Sequence, residues 1–451
     1  MGRLFGTDGV RGVANDTLTP ELAISLGKAG AYVLSKTEGE RPPVVLIGKD
    51  TRVSCDMLED GLSAGILSMG GTAIKIGVLP TPAVAWLVKE MEADCGVVIS
   101  ASHNSFEYNG IKFFNRDGFK LDDAIEELIE KIVLDNIDIS SHITGALVGK
   151  ASERTKDALE RYVEYLKSSI TYDLKGMKIV IDCANGASCE AAEALYSGLG
   201  ADLVLIGNEP DGININDGVG STHPENMCET VVREGAALGL AFDGDADRLI
   251  ACDEKGNIID GDMAMFLCAL HLKKQGKLIN NLVIATKMSN LGLSIALERE
   301  GIDIKYSNVG DRYVLELMQR TGAILGGEQS GHIIFLDRNT TGDGLYASLR
   351  LIEAIFETGK NASEAASGIE ILPQVLESAT IKPENKNDYL INPEIVDATE
   401  KIERKMEGKG RVFIRPSGTE PLVRVMIEGK NKDEIEKDAK NLAALIEEKL
   451  G

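Results

Sequence analysis

Three α/β domains of like build, followed by a smaller α+β domain, are what this sequence predicts, and three observations carry that reading. A strand, a polar loop, a helix and a second strand recur three times at comparable spacing. About eighty residues at the carboxyl end abandon this pattern for short paired strands and one long amphipathic helix. A length of 451 residues exceeds what one hydrophobic core organises and suggests about three or four domains.

The first repeat opens with an apolar run at residues 44–48, ending in Lys49-Asp50-Thr51-Arg52. A helix-length segment and a second run at 73–78 follow. The second opens at 178–181, turns through Asp182-Cys183-Ala184-Asn185-Gly186 and reaches another run at 202–206. The third opens at 282–285, turns through Thr286-Lys287-Met288-Ser289-Asn290 and reaches 303–306. Runs this short also fit turns of buried helix, but their β-branched content favours strands. In the last domain, strands at 411–414 and 422–428 flank a Gly/Pro loop. The helix after them carries Ile435, Ala439, Leu442, Leu445 and Ile446 at the 3.6-residue period. Residues 381–392, rich in Pro, Asn and Lys, predict a polar loop within this domain. Boundaries are expected near residues 152, 255 and 370, giving domains 1–152, 153–255, 256–369 and 370–451.

With 43% hydrophobic and 26% charged residues, the composition argues against disorder. The seven cysteines are scattered without a Cys-x-x-Cys pair, which points to buried thiols in a reducing cytosol rather than a disulfide framework or structural zinc. No stretch approaches the roughly 18 apolar residues that span a bilayer. The opening Met1-Gly2-Arg3-Leu4-Phe5-Gly6-Thr7 lacks an apolar signal region and has Gly6 where myristoylation requires a hydroxyl. A cytoplasmic location is therefore expected. The net charge of -23 opposes nucleic acid and anionic membranes as partners. It equally opposes an acidic substrate unless the site brings its own cations. Arg11, Lys112, Arg248, Arg415 and Arg424 lie within or beside polar motif loops and would supply them, although each alone reads as readily as a surface charge.

Four loops hold the chemistry-bearing residues. Ile99-Ser100-Ala101-Ser102-His103-Asn104 lies between apolar runs at 96–99 and 110–114, the kind of connection on which catalytic side chains sit. A serine there serves as nucleophile or phosphate carrier only if activated, and His103, Lys112 and a metal are the neighbouring candidates. Spacing does not choose among Ser100, Ser102 and Ser105, and the loop alone fits a plain polar turn. Asp243-Gly244-Asp245-Ala246-Asp247-Arg248 follows an apolar run at 237–242. At i, i+2 and i+4 of an extended loop, three carboxylates turn toward one point and suit Mg²⁺ or Ca²⁺. An EF-hand would align Asp243, Asp245, Asp247 and Glu254, but Arg248 stands where it needs glycine. An aspartyl-phosphate phosphatase would use two of these carboxylates and leave the other loops without a role. Gly326-Gly327-Glu328-Gln329-Ser330-Gly331-His332 offers Glu328, Ser330 and His332 to sugar hydroxyls, though glycines also serve tight turns alone. Arg415-Pro416-Ser417-Gly418-Thr419-Glu420-Pro421 offers a guanidinium, hydroxyls and freed backbone amides to a phosphate, or is a simple turn. Together the four loops make sense for phosphoryl transfer on a phosphosugar.

In this order the loops resemble those of the α-D-phosphohexomutase superfamily, over the whole chain. The opening Phe5-Gly6-Thr7-Asp8-Gly9-Val10-Arg11-Gly12, the Glu328-Gln329-Ser330-Gly331-His332 form of the sugar loop and Thr340-Thr341-Gly342-Asp343-Gly344 are similar to the branch acting on amino-sugar phosphates. The resemblance implies four domains around a central cleft. It implies Ser102 as a phosphoserine, with Asp243, Asp245 and Asp247 holding one Mg²⁺ that a phosphoserine oxygen also ligates. Arg11, Lys112, Arg248 and His332 fall where the family has site cations and acid/base candidates. Glu328 and Ser330 fall on its sugar loop. Arg415, Ser417, Gly418 and Thr419 fall on its loop for the non-reacting phosphate, with Arg424 beyond. The family usually has proline after Ser-His-Asn, and this chain has Ser105, which frees a φ angle and puts the loop's rigidity in question.

The implied activity interconverts glucosamine 6-phosphate and glucosamine 1-phosphate, supplying UDP-N-acetylglucosamine synthesis. Glucosamine 1,6-bisphosphate would be intermediate and activator, turning end for end while a mobile final domain retains it. An unidentified kinase or bisphosphate sugar would first phosphorylate Ser102. A phosphomannomutase/phosphoglucomutase of the same superfamily is the runner-up, a hydrolase releasing phosphate the third reading, and a non-enzymatic phosphosugar or Ca²⁺ sensor the fourth.

Overall fold

The apolar runs that open the three repeats are strands in the computed structural model, which describes residues 4–6, 8–37, 41–139, 143–406, 410–417 and 421–451. The first sheet contains β1 (Val10–Val13), β2 (Val44–Lys49), β3 (Thr72–Val78), β4 (Cys95–Ile99), β5 (Tyr108–Asn115) and β6 (Lys150–Glu153), in the order β1-β5-β4-β2-β3-β6. The second contains β7 (Lys178–Asp182), β8 (Asp202–Ile206), β9 (Leu238–Phe242), β10 (Leu249–Asp253) and β11 (Ile258–Ile259), in the order β11-β10-β9-β7-β8. The third contains β12 (Leu282–Thr286), β13 (Asp303–Ser307), β14 (Leu325–Gly327) and β15 (Ile333–Phe335), in the order β13-β12-β14-β15.

One kernel underlies all three. The strand that opens each repeat pairs in parallel with the two that follow, and a fourth strand returns antiparallel to the third. The kernels are β3-β2-β4-β5, β8-β7-β9-β10 and β13-β12-β14-β15. β4, β9 and β12 are buried along their whole length, which is why they read as continuous apolar runs rather than alternating ones. The connection from third to fourth strand spans residues 100–107, 243–248 and 328–332 in the three kernels. The serine, aspartate and sugar loops therefore occupy one topological position three times, each beyond the carboxyl end of a parallel strand, where open α/β sheets bind ligands.

The chain groups into two compact units, Met1–Lys287 with Ile302–Ser367, and Met288–Gly301 with Gly368–Gly451. The second unit contains β16 (Gln374–Thr380), β17 (Gly410–Pro416) and β18 (Leu422–Gly429), all antiparallel in the order β16-β18-β17. Helix Lys432–Leu450 covers the sheet, burying Ile435, Ala439, Leu442 and Ile446 with Leu445 packed beside them. Asn290 caps helix Leu291–Arg299 in this unit, and its amide exchanges hydrogen bonds with the Leu372 backbone at 2.9 Å each way. The predicted polar loop at 381–392 holds two short 3₁₀ turns, Pro383–Asn385 and Asp388–Leu390. Ile381 and Tyr389 anchor it to the core, while its proline and asparagines still prevent a longer element. Among the described residues, no helix is long and apolar enough to cross a membrane.

Candidate active site

The chain leaves β4 at Ile99 and turns sharply, with Ser102 at φ +53°, a left-handed conformation that a serine adopts only when its surroundings hold it there. The Ser102 hydroxyl donates to Asp243 Oδ2 at 2.6 Å, and His103 Nδ1 lies 3.4 Å from the same Oγ. Ser100 supports the turn instead, since its buried Oγ accepts the Ser102 N–H at 3.0 Å. Ser105 is exposed. Of the three serines that spacing left open, Ser102 is the one set on the carboxylates. Burial, helped by Arg248 and Arg11, lowers the pKa of His103 and keeps its ring neutral enough to accept a proton.

Asp243, Asp245 and Asp247 are buried, with ligand oxygens all within 4.8 Å of one another. They converge through a tight turn instead of the extended loop expected from their spacing. Ala246 N–H donates to Asp243 O at 2.9 Å and Ala246 takes φ +56°. Gly244 has no room for a side chain, since an added Cβ would lie 2.6 Å from Ser102 O, so the two loops meet backbone to backbone. Burial, Asp247 and Asp245 push the Asp243 carboxyl well above the usual range. Burial also disfavours ionised Asp245, but Lys112 and Thr81 outweigh it and hold that carboxyl low. Asp245 Oδ1 and Asp247 Oδ1 are buried without a hydrogen-bond partner. Orphaned hard oxygens beside a mutually repelling carboxylate fit a divalent cation such as Mg²⁺. The EF-hand alternative fails. Strands β9 and β10 flank the loop, and Glu254 accepts hydrogen bonds from Ser363 N–H and Oγ instead of turning inward.

Cations surround this cluster. Lys112, on β5, is 2% exposed, with Nζ 2.8 Å from Asp245 Oδ2 and 3.1 Å from Asp8. Burial would lower its pKa, but Asp245 and Asp8 outweigh burial and hold it above the ordinary value, which suits a fixed cation and not a base. Arg11 pairs with Asp8. The Arg248 backbone N–H donates to Asp243 Oδ1 at 3.2 Å, and its Nε lies 3.7 Å from Asp247.

The sugar-type loop is stitched to the same place, with the Leu249 N–H donating to Gly331 O at 3.0 Å. Gly331 has φ +93°, and a Cβ there would lie 2.1 Å from Leu249 O, so only glycine fits. Glu328 Oε1 accepts the Gly310 N–H at 3.0 Å, and Ser330 is exposed. His332 Nδ1 lies 3.4 Å from Asp247 Oδ2, while its Nε2 accepts the Gly342 N–H at 3.0 Å. Burial works against a charged ring, yet Asp247, Asp311 and Glu328 outweigh it and push His332 up to about 9. The Gly342 bond favours the neutral ring, as would a cation that cancels the charge of Asp247. Asp343, from the same motif, caps helix Gly344–Glu357 and takes the Tyr162 hydroxyl at 2.9 Å, so its role is structural.

Sequence reasoning missed several members of the site. Thr81 Oγ1 donates to Asp245 at 2.7 Å, and Lys120 bridges Asp8 at 2.8 Å and Asp311 at 2.7 Å. Lys120 and Asp311 are 191 positions apart, and no local spacing could have paired them. Asp8 belongs to the opening glycine-rich motif, and that setting was the available signal.

In the second unit, Arg415 and Arg424 stand directly opposite each other across β17 and β18. Burial and Arg424 lower the Arg415 pKa, and its buried Nε has no hydrogen-bond partner. Like charges so placed destabilise a strand pair unless an anion joins them. Ser417 is buried beside them, its N–H donating to Leu422 O at 2.8 Å. Gly418 and Thr419 lie outside the described residues.

Known proteins resemble the chain throughout. Models described as phosphoglucomutase/phosphomannomutase α/β/α domains I, II and III match residues 2–138, 160–256 and 260–370, and the C-terminal domain model matches 380–445. A phosphoglucosamine mutase of Clostridium novyi (strain NT) is 56% identical over 449 residues, covering 100% of this chain and 99% of that protein. One of Thermoanaerobacter sp. (strain X514) is 57% identical over 450 residues, covering 100% of both. Among solved structures, a phosphoglucomutase/phosphomannomutase family protein from Burkholderia thailandensis superposes with TM-score 0.78 at 25% identity, covering 98% of this chain and 96% of that one. The Aspergillus fumigatus N-acetylphosphoglucosamine mutase, in complex with GlcNAc-6P and magnesium, superposes with TM-score 0.69 at 17% identity, covering 99% and 95%.

Proposed function

The chain belongs to the phosphoglucomutase/phosphomannomutase family, and on that footing we propose that it interconverts glucosamine 6-phosphate and glucosamine 1-phosphate. The observation that carries the reading is the Ser102 hydroxyl held 2.6 Å from Asp243, in a carboxylate cluster with two orphaned oxygens. Support for the amino sugar comes from the full-length relatives bearing that name and from the GlcNAc-6P in the Aspergillus fumigatus structure.

Ser102 carries the phosphoryl group. A phosphoserine brings about two negative charges near neutral pH, which Arg11, Lys112 and Arg248 offset. A substrate hydroxyl attacks the phosphorus, the bond from phosphorus to Ser102 Oγ breaks, and Oγ recovers a proton. His103 or His332 serves as the proton carrier. Glu328 and Ser330 grip the sugar hydroxyls, while Arg415, Ser417, Gly418, Thr419 and Arg424 hold the phosphate that does not react. The resulting 1,6-bisphosphate turns end for end, and Ser102 takes the opposite phosphate. Asp243, Asp245 and Asp247 would hold Mg²⁺, which supplies charge neutralisation at the transferring phosphoryl oxygens. A kinase or a bisphosphate sugar supplies the first phosphate, and seven free thiols suit a cytoplasmic setting.

Direct competition among glucosamine, glucose and mannose phosphates tests the substrate. The expected kcat/KM ratio favours the amino sugar by at least about tenfold, or about 1.4 kcal/mol. A better rate on glucose or mannose phosphate would overturn the amino-sugar assignment and leave the phosphoserine mechanism standing.

A further inference from the structure

Ser102 is presented by a backbone whose carbonyls are gripped from two sides. Arg52, in the loop after β2, donates through Nη2 to Ser102 O at 3.1 Å and to Asn104 O at 2.5 Å. Asn216, between β8 and helix Glu225–Glu234, donates through Nδ2 to the same two oxygens at 3.0 Å each. The first residue belongs to the kernel that carries Ser102, the second to the kernel that carries Asp243.

Both grips are themselves fixed. The Arg52 side chain is fully buried and ion-paired with buried Asp50, whose Oδ1 also accepts the Arg52 N–H at 3.0 Å. Asn216 is 8% exposed and tied by its N–H to Ala184 O at 2.9 Å. An added Cβ on Gly244 would lie 2.8 Å from Asn216 Nδ2 and 2.6 Å from Ser102 O, so the aspartate loop closes directly over the grip. Thr51 Oγ1 to Asn185 O at 2.5 Å, and Val53 N–H to Gly212 O at 2.9 Å, join the same two kernels alongside.

We infer that Arg52 and Asn216 are positioning residues that set the Ser102 oxygen against the carboxylate cluster. The inference rests on Ser102 as phosphoryl carrier and adds which groups aim it. A carrier that gives up a phosphate and later takes back a different one must return to the same place each time. Four hydrogen bonds to two turn carbonyls do this without a proline after Asn104, where this chain has Ser105. A displacement of about 1 Å at a reacting atom costs on the order of a hundredfold in rate, so the clamp should act on turnover more than on binding.

The test uses the full chain, phosphorylated and in Mg²⁺. Asn216→Ala removes one grip by truncating a small buried amide. Arg52→Lys keeps a cation beside Asp50 but loses the planar fork. Each variant is expected to lower kcat by about tenfold or more with KM within about twofold, and to speed amide hydrogen exchange across residues 101–108. A smaller fall, a fall carried by KM alone, or unchanged exchange overturns the inference. If the carrier reading itself is wrong, the wild type shows no phosphate on Ser102 and no mutase turnover. Loop exchange is still measurable then and judges the clamp separately.

Discussion

The serine loop and the β17–β18 hairpin, the two places proposed to meet phosphate, are built on opposite plans. Ser102 is itself buried and has each of its polar groups partnered within one unit: Ser100 holds its N–H, Arg52 and Asn216 its carbonyl, Asp243 its hydroxyl. The hairpin instead sets Arg415 against Arg424 in a half-buried strand pair and leaves Arg415 Nε without a hydrogen bond. On the proposed function, the reacting end would thus be arranged before substrate arrives, whereas the substrate's own phosphate would join the holding end. Rate enhancement by preorganised charge needs the first plan, and capture of an anion needs only the second.

The sharpest way to break this comparison is at the carrier. Ser102→Ala should lower kcat by at least about a thousandfold, and mass mapping should place the phosphate of the wild-type protein on Ser102. Phosphate found on Ser100 or Ser105 would overturn the assignment. Next comes the carboxylate cluster. Chelation should abolish turnover and Mg²⁺ restore it, and Asp243→Asn should cost about a hundredfold or more. Mg²⁺ should raise the Tm of the wild type, because binding to the folded state alone stabilises it, and this rise should vanish in Asp243→Asn. Full activity in excess chelator would show that the cluster serves structure only. A smaller effect is expected at the holding end. Arg415→Ala should lower kcat/KM by about tenfold, with KM raised and kcat reduced, since binding at the remote phosphate helps orient the reacting one. Unchanged kinetics would remove the hairpin from the site.

What the sequence disclosed, and what it hid, follows from range. The buried strands were legible because parallel strands covered on both faces leave unbroken apolar runs, as at β4 and β9. β16 was not, because Gln374–Thr380 pairs at the sheet edge and its polar residues blur the alternation. Asp243, Asp245 and Asp247 were legible because their ligand geometry comes from one short turn. The repeats were visible as strand–helix–strand, but the fourth antiparallel strand was not assigned to them. The three site loops therefore did not show as equivalents until the sheets were ordered. Lys120, Asp311, Arg52 and Asn216 left no trace, since contacts 50 to 191 residues apart carry no local pattern.

The smallest expected effect is also the most direct probe of the preorganised end. If hydrogen bonds already fix the serine loop, restoring the proline usual in the family should change little. Ser105 is exposed, and its carbonyl accepts the Tyr108 N–H at 3.2 Å, a bond that proline retains. Among the described residues, the Ser105 N–H donates to no other backbone group, so proline removes no backbone bond there. Ser105→Pro should leave kcat within about threefold of wild type and stabilise the fold by about 0.4–1 kcal/mol through the narrower unfolded chain. Kinetic assay and thermal unfolding check the two halves. A gain in kcat of about tenfold would mean that the loop is loose and that serine at 105 limits turnover. The contrast between a fixed reacting end and a substrate-completed holding end would then fail at its first member. In combination with Asn216→Ala the same substitution should matter more, because covalent restraint then replaces a missing hydrogen-bond restraint. The double variant should recover part of the kcat lost in the single one, the coupling expected of two devices that hold the same backbone.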